Sequence, residues 1–563
     1  MRVSLFFSSV ALLVFAVFLY AGPPMGHSFV SNAVWRSAFA DQLFAGEFYP
    51  RWLFAPSQGA GSPAFYYYGP FPFWLDAIAT KVLCWGCDAE RSVMLGPCLL
   101  LALSGIAFYR WAGLFAAPPA ALLAAALYVF LPYHFAIDLW QRQALGEVAT
   151  YLWMPIVLLG LARAPASVPY TVVAAFGYAG LLYSHLPSAL LFSPVMLCFA
   201  VVRYGLVAGL RLLVVPVLLG VGLAGLYLVP ALTMQDYINA SAWWDRPSGI
   251  YDARNWLWLD GRDEPPFAGP VLSALLVPTV LGALMAGGLL LRRDGDGRMR
   301  IFLVVSLVYG WFLMTYPSLP LWEHVALLRK VQFPWRVGVV IDLSVATMFA
   351  VWLDSVWDRR WLAGATLGVA AAVLAAYYAA HAKPMYWLLL DVKSATAVGK
   401  ARADIARGFD PPEYRPAWSV RSPAESYDRE ALAAQLAAVP EAAVVAGDGA
   451  VTILGRDLDR LSVEVRAATP VRVRFRRFYF PGWQLTAAPE AEPVAVAPGE
   501  TLGLLQAEVP AGTHRLTLER RPIAEARIGA MVSLLGLIAT LSLLAAALLK
   551  NRNVPGRPAG RFG

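Results

Sequence analysis

Thirteen stretches of the chain are apolar over long runs, beginning near Leu5, Phe71, Ser92, Pro119, Val148, Tyr170, Pro187, Leu212, Gly269, Ile301, Val337, Trp361 and Ile528. A helix that crosses about 30 Å of hydrocarbon needs roughly 20 such residues. The Phe71–Leu83 run is the exception, with 13 residues, a "GPFPFW" opening, Asp76 and Lys81. A run of that length suits a helix lying on the membrane surface. Without it, twelve spans remain. Arg2, Arg110, Arg163, Arg203, Arg211, the run from Arg292 to Arg300, Arg359, Arg360 and the tail "KNRNVPGRPAGR" then share one side. The positive-inside rule makes that side cytoplasmic, with both termini inside. All six histidines fall outside or at the outer boundary.

The same count places two long segments outside. Residues 23–91 form a loop with two interfacial helices, about Ser28–Ala45 and Phe71–Leu83. Between them lies "EFYPRWLFAPSQGAGSPAFYYYGPFPFW", too irregular for a helix or strand interior and too aromatic for disorder. From Lys383 to Arg527 no run is long enough to span, and from about Ala442 the period changes to two. "VRVRFRRF" puts Val471, Val473 and Phe475 on one face and Arg472, Arg474 and Arg476 on the other. The expectation is a polytopic α-helical domain over 1–382 and an extracytoplasmic domain over 383–525. The latter carries a β-sandwich from about 442, followed by a final span over 526–549 and a cytoplasmic tail over 550–563. The sandwich reads either as a structural cap or as a sugar-recognition module, the second because Trp483 reads as exposed beside arginines.

Composition sharpens this picture. Of 563 residues, 59% are hydrophobic and 15% charged, and the mean hydropathy is +0.57. A soluble chain carries about 25% charged residues. The net charge of +8 comes without the basic, aromatic-interleaved patch of a nucleic-acid binder. The run Leu5–Ala21 reads as a retained first helix, since no convincing small-residue cleavage site follows it. Cys98 and Cys198 read as small apolar residues, and "CWGC" at Cys84–Cys87 as a local disulfide or two thiols, outside any thioredoxin-like context.

Candidate chemistry gathers at the outer ends of the spans. The first outer loop offers His27, Asp41, Glu47 and Arg51, and "LPYHFAIDLWQRQALGEVA" offers Asp138, Arg142 and Glu147. His185 begins a span in "YSHLPS", and "LRKVQFPWRVGVVID" brings Arg329, Lys330, Arg336 and Asp342. Each has an ordinary reading as a snorkelling or boundary residue. Together, arginine, carboxylate and histidine near one membrane depth suit a site that grips a phosphate head group while its lipid tail stays in the bilayer.

Several of these elements carry a resemblance. "GEFYPRW", "GAGSPAFYYYGPFPFW", "RQALGEVA", "SHLP", "QFPWR" and the terminal "FYFPGWQL" region before a last span resemble the polytopic GT-C glycosyltransferases. Within them the chain is most similar to a bacterial membrane family labelled "6-pyruvoyl-tetrahydropterin synthase-related". The resemblance implies a bacterial inner-membrane enzyme that transfers sugar from a polyprenyl-phosphate donor to an envelope glycan, lipid or protein on the extracytoplasmic face. It implies His27 or Asp41 as base, and Arg51, Arg142 and Arg336 on the phosphate. Glu147 would orient Arg142 or the sugar, His185 would bind substrate, and Trp52, Tyr66, Tyr67, Tyr68 and Trp74 would line the groove. No cofactor and no metal is expected, since no clear acidic pair is present. Such enzymes carry an acidic residue just after the first span; here "GHSF" places Ser28 there. That departure keeps two alternatives open, a non-catalytic membrane scaffold and a transporter of lipid-linked sugars.

Overall fold

The computed structural model describes residues 2–21, 26–84, 92–239, 253, 257, 268–291, 296–391, 395–419, 429–489 and 491–552. Among them, ten helices are long and apolar enough to cross a membrane. They define a multi-pass α-helical membrane protein, joined to a domain of two antiparallel sheets near the C-terminus. The principal helices are α1 (Arg2–Ala21), α2 (Phe29–Phe44), α3 (Phe71–Leu83), α4 (Leu95–Ala112), α5 (Pro118–Phe130), α6 (Leu145–Arg163), α7 (Val168–Ser184), α8 (Leu186–Tyr204) and α9 (Leu206–Leu223). They continue with α10 (Gly225–Thr233), α11 (Ala268–Leu291), α12 (Gly297–Leu313), α13 (Gly338–Val356), α14 (Arg360–Asp391), α15 (Ala395–Ala406), α16 (Arg429–Ala437) and α17 (Ala524–Arg552). Of the twelve runs expected to span, the two outside the ten are α7 and α12, each with 17 residues. At 1.5 Å per residue they reach about 25 Å, somewhat short of the hydrocarbon thickness.

α17 shows how the apolar helices are held. Leu534, Leu535, Ile538 and Leu541 are exposed, as suits a lipid-facing surface. Its other side meets α9 and α10 through glycine: a Cβ on Gly536 would lie 2.6 Å from the carbonyl carbon of Gly222, and one on Gly529 would lie 2.6 Å from the Gly225 oxygen. Between apolar helices in lipid, close backbone approach replaces the hydrophobic drive.

The segments flanking the aromatic loop form the two helices expected there. α3 is tied down through Asp76, whose Oδ1 accepts the Gly96 N–H at 2.9 Å and whose Oδ2 pairs with Arg36 at 3.4 Å. Burial pushes the Asp76 carboxyl up to about 6, with Arg36 pulling against it. Cys84 is disulfide-bonded; Cys87, its neighbour in "CWGC", lies outside the described residues.

Among the described residues nine strands follow: β1 (Ala442–Ala446), β2 (Gly449–Arg456), β3 (Arg460–Ala467), β4 (Val471–Phe478), β5 (Trp483–Ala488), β6 (Glu492–Val494), β7 (Ala497–Pro498), β8 (Leu504–Val509) and β9 (Gly512–Arg520). They form sheets in the orders β1-β4-β8-β7 and β2-β3-β9-β5-β6. Period-two alternation sends Val471, Val473 and Phe475 inward, opposite Leu461, Val463 and Val465 of the other sheet.

The aromatic loop between α2 and α3 completes this core. Trp52, Phe54, Tyr66 and Tyr67 are buried in the same cluster as the sheet residues. The Phe478 N–H donates to the Ala60 carbonyl at 2.9 Å, and Arg477 Nη1 to the Gly59 carbonyl at 2.8 Å. Trp483, expected on the surface, is 6% exposed and packs edge-on to Trp52 with ring centroids 5.8 Å apart. Its burial follows from the loop, which covers the end of the sheets. A second tie runs through Asp410, whose Oδ1 accepts from Trp35 Nε1 at 2.9 Å and from the Ser62 hydroxyl at 3.0 Å.

Candidate functional site: a buried ion network at the helix ends

The site starts at a break in a helix. α5 opens on Pro118 and Pro119 and runs to Phe130; Leu131, ahead of Pro132, is forced extended with ψ 136°. The chain then winds as a π-helix over Tyr133–Arg142 and stops at Gln143, which takes the left-handed conformation with φ 52°. π-turns are rare and concentrate at functional sites, and a left-handed non-glycine residue is held there only by its surroundings. Here the surroundings are the start of α2 and the residues just before it. The His27 N–H donates to the Gln141 carbonyl at 2.9 Å, the Ser28 N–H to Arg142 at 3.0 Å, and Asn32 Nδ2 to Gln143 at 2.8 Å. Three carbonyls at the end of the π-helix are thereby satisfied.

This winding brings four charges together out of water. Arg142 Nη1 lies 2.5 Å from Asp138 Oδ1 and 2.8 Å from Glu147 Oε2. Glu147, in the first turn of α6, also accepts the Tyr133 hydroxyl at 2.5 Å and faces Arg336 Nε at 3.6 Å. Asp138 and Glu147 are buried, as is Arg142, while Arg336 is half-buried. Two guanidinium groups and two carboxylates sum to zero charge, which is how such a cluster survives at a membrane-spanning depth. Arg142 and Arg336 lie over the Trp335 and Phe333 rings, at 5.6 and 5.3 Å. Arg336 Nη1 donates to the Val331 carbonyl at 2.7 Å, and its Nη2 has no protein partner among the described residues.

Glycine lets two more groups reach the cluster. A Cβ on Gly146 would stand 2.7 Å from the Ser184 carbonyl oxygen, and one on Gly69 would stand 2.3 Å from the same atom. The start of α6 and the end of "YYYG" therefore dock on the corner between α7 and α8, which carries His185. That histidine is half-buried, and its Nδ1 accepts the Ser188 N–H at 3.3 Å and meets the Ser188 hydroxyl at 2.8 Å. An accepting Nδ1 leaves the ring hydrogen on Nε2, so neutral His185 is a donor there. Tyr68 also faces the network: burial raises its hydroxyl pKa, and the charges of Arg336 and Arg142 pull against that.

Deeper in the bundle, Asp342 accepts the Tyr151 hydroxyl at 3.0 Å, and the His134 ring stacks on Tyr151 at 3.6 Å. Arg336 and Asp342, six residues apart, thus take different partners.

The residues expected to form one site divide into groups. Arg142, Glu147, Arg336, His185 and Tyr68 converge. His27 is exposed at the rim, its backbone stitched to the π-helix. Asp41 is exposed on α2. Burial still raises its carboxyl pKa, against Arg36. Arg51 lies over Tyr49 at 4.2 Å and donates to the Leu226 carbonyl at 3.1 Å, outside the ion network. Trp52, Tyr66 and Tyr67 belong to the sheet core: the Tyr67 hydroxyl donates to Met234 at 2.7 Å, and Arg520 donates to the Tyr66 hydroxyl. Trp74 donates to the Phe48 carbonyl at 2.8 Å. Asp138 stood among the candidates from the sequence without a partner, and Tyr133 did not stand among them. The i, i+4 spacing of Asp138 and Arg142 was a usable signal for the first; nothing marked the second. Among the described residues no group of three or more His, Cys, Asp or Glu side chains is placed to hold a metal ion.

No family model matches the chain, and no curated protein matches it. Among solved structures it is similar to the crystal structure of ArnT from Cupriavidus metallidurans bound to undecaprenyl phosphate. The two share 13% identity and superpose with a TM-score of 0.30, covering 62% of this chain and 77% of that one.

Proposed function

We propose that this protein transfers a sugar from a polyprenyl-phosphate-linked donor to an acceptor of the cell envelope, as a GT-C-type glycosyltransferase of the bacterial inner membrane. In this reading residues 23–91 and 383–525 are extracytoplasmic and both termini are cytoplasmic. The observation that carries it is Arg336 beside Arg142, both facing Glu147 at the helix ends, with no protein partner on Nη2 of Arg336 among the described residues. A guanidinium fork with spare donors suits a phosphate. As the bond from the sugar's anomeric carbon to the phosphate oxygen breaks and the acceptor oxygen bonds to that carbon, Arg336 and Arg142 hold the second negative charge that builds on the leaving lipid monophosphate. Tyr68 and the His185 Nε2–H donate to phosphate or sugar oxygens. Glu147, held by Tyr133, fixes both guanidinium groups. The attacking hydroxyl passes its proton to His27 at the rim, or to a carboxylate of the network.

A structural reading competes with this one. Arg142 already has Asp138 and Glu147 within ion-pair distance, a closed arrangement that needs no ligand. It favours a non-catalytic scaffold over a transporter. The test is binding and turnover of a panel of polyprenyl-phosphate sugars by the purified protein, with membrane extract as acceptor. Wild type binds and transfers one of them; Arg336→Gln loses donor binding at least tenfold; His27→Ala retains binding and loses rate. Binding of no donor by the wild type defeats the transferase reading and leaves the scaffold.

A further inference from the structure

The arginines of the two sheets are not alike. Glu441 pairs with Arg456 and Arg477, Glu464 with Arg466 and Arg515, Glu519 with Arg460 and Arg521, and Glu508 with Arg472. Arg520 lies over Trp52 and Tyr66. Arg474 and Arg476 on β4 have no carboxylate partner among the described residues. Both are half-buried, and the Nε of each is shut off from solvent without an acceptor. A buried, unmatched guanidinium donor is costly, and in a native fold it calls for an explanation such as a bound anion.

Their setting says what kind of anion. Val471, Val473 and Phe475 face the core, so Arg472, Arg474 and Arg476 stand on the outer face of β1-β4-β8-β7. Two residues along a strand is about 6.7 Å, so the unmatched pair presents two forks in line. Opposite Arg474 stand Ala443 on β1 and Gln506 on β8, which leaves a low shelf with an amide at its side. The shelf does not end in open solvent. Next to Arg476, Arg477 and Phe478 bind the backbone of Gly59 and Ala60 in the outer loop. Whatever lies along the shelf is led toward that loop.

We propose that Arg474 and Arg476 bind an anionic glycan chain, through carboxylate or phosphate groups on neighbouring sugar units, laid across the outer face of this sheet. That the glycan is the sugar acceptor rests on the transferase reading; that it binds here does not. Flat, repeated charge beside an amide suits an extended polar chain rather than a compact ion. Guanidinium forks match both kinds of anionic oxygen.

The experiment uses the full-length protein in detergent and three chains of matched length: oligogalacturonate, a phosphorylated mannan and uncharged dextran. Wild type binds one of the charged chains, more weakly as salt rises, and does not bind dextran. The double variant Arg474→Gln/Arg476→Gln weakens that binding at least tenfold. Arg466→Gln, whose arginine already has Glu464, changes it less than twofold. Which charged chain binds identifies carboxylate or phosphate as the recognised group. Equal binding by the double variant, equal binding of dextran, or binding of neither charged chain overturns the proposal. In a transfer assay with the bound chain as acceptor, the double variant raises KM at least tenfold and leaves kcat within twofold. If the shelf binds the chain but no donor sugar reaches it, the transferase reading fails and the binding site stands.

Discussion

Glu147 and Glu464 have the same company, two arginines each, in opposite surroundings. Glu147 lies at the end of the helix bundle, 1% exposed, with Arg142 at 2.8 Å and Arg336 at 3.6 Å. Glu464 lies on β3 between Arg466 at 2.8 Å and Arg515 at 3.5 Å, and both arginine side chains are more than 70% exposed. Hydrogen bonds from Arg466 and Arg515 hold the Glu464 carboxyl below its usual range. The difference is water. On the sheet, water competes for every charge and the arrangement is worth little. In the bundle no water replaces a lost partner, so each charge depends on the others.

The sharpest way to break this contrast is Glu147→Ala. It leaves two guanidinium groups without a carboxylate between them and is expected to cost about 3–5 kcal/mol, read as a drop in the thermal midpoint in detergent. A midpoint equal to wild type would mean the network is wet, like the sheet. Trp52→Ala comes next. It empties a fully buried site between Phe480, Trp483 and Arg520. A loss of about 3–5 kcal/mol follows from the cavity, with new proteolytic cleavage in the loop between Leu53 and Ser62.

Asp410 gives a third, pH-dependent test. Burial pushes its carboxyl up to about 6; the Trp35 hydrogen bond, Arg415 and Ser62 pull it down, and Glu413 raises it. Its native pKa therefore lies above the ordinary value of 3.8, and the folded state binds the extra proton between about pH 4 and 6. The ionised form is the costly one in the fold. Asp410 therefore lowers stability at neutral pH, and that loss is relieved as pH falls through 6. The loop joint should resist proteolysis better at pH 5 than at pH 7, and Asp410→Asn should remove part of that difference. Asp76, with the same sign, supplies another part. The smallest effect belongs to Glu464→Gln, which should leave the thermal midpoint within replicate scatter.

The two glutamates also show what could be read from the chain alone. Spacing identified the strand character of "VRVRFRRF" and the arginine face of β4, because side chains alternate without regard to what packs on them. It identified the short helix over Phe71–Leu83 by its length and its proline opening. It singled out Arg142, Glu147 and Arg336 as charges in the wrong solvent. It did not pair them, because the pairing runs through a π-helix and a left-handed Gln143 that no periodicity announces.

The sequence by itself determined the membrane class, the run of apolar helices, the change to strands after Ala442 and the residue types at the helix ends. Each of these follows from hydropathy and period, which are local. Only the tertiary structure decided where the aromatic loop goes. "YPRW" and "FYYYG" read as a ligand groove, yet Trp52, Tyr66 and Tyr67 are buried against Phe480 and Trp483, more than 400 residues along the chain. Aromatic side chains suit a sugar face and a protein core equally well, since both reward a large apolar surface with a polar edge. Which one they meet depends on the approach of a distant segment. The same approach buried Trp483, left Tyr68 beside the arginines, and stitched the loop to the end of β4 next to two arginines that have no carboxylate partner among the described residues.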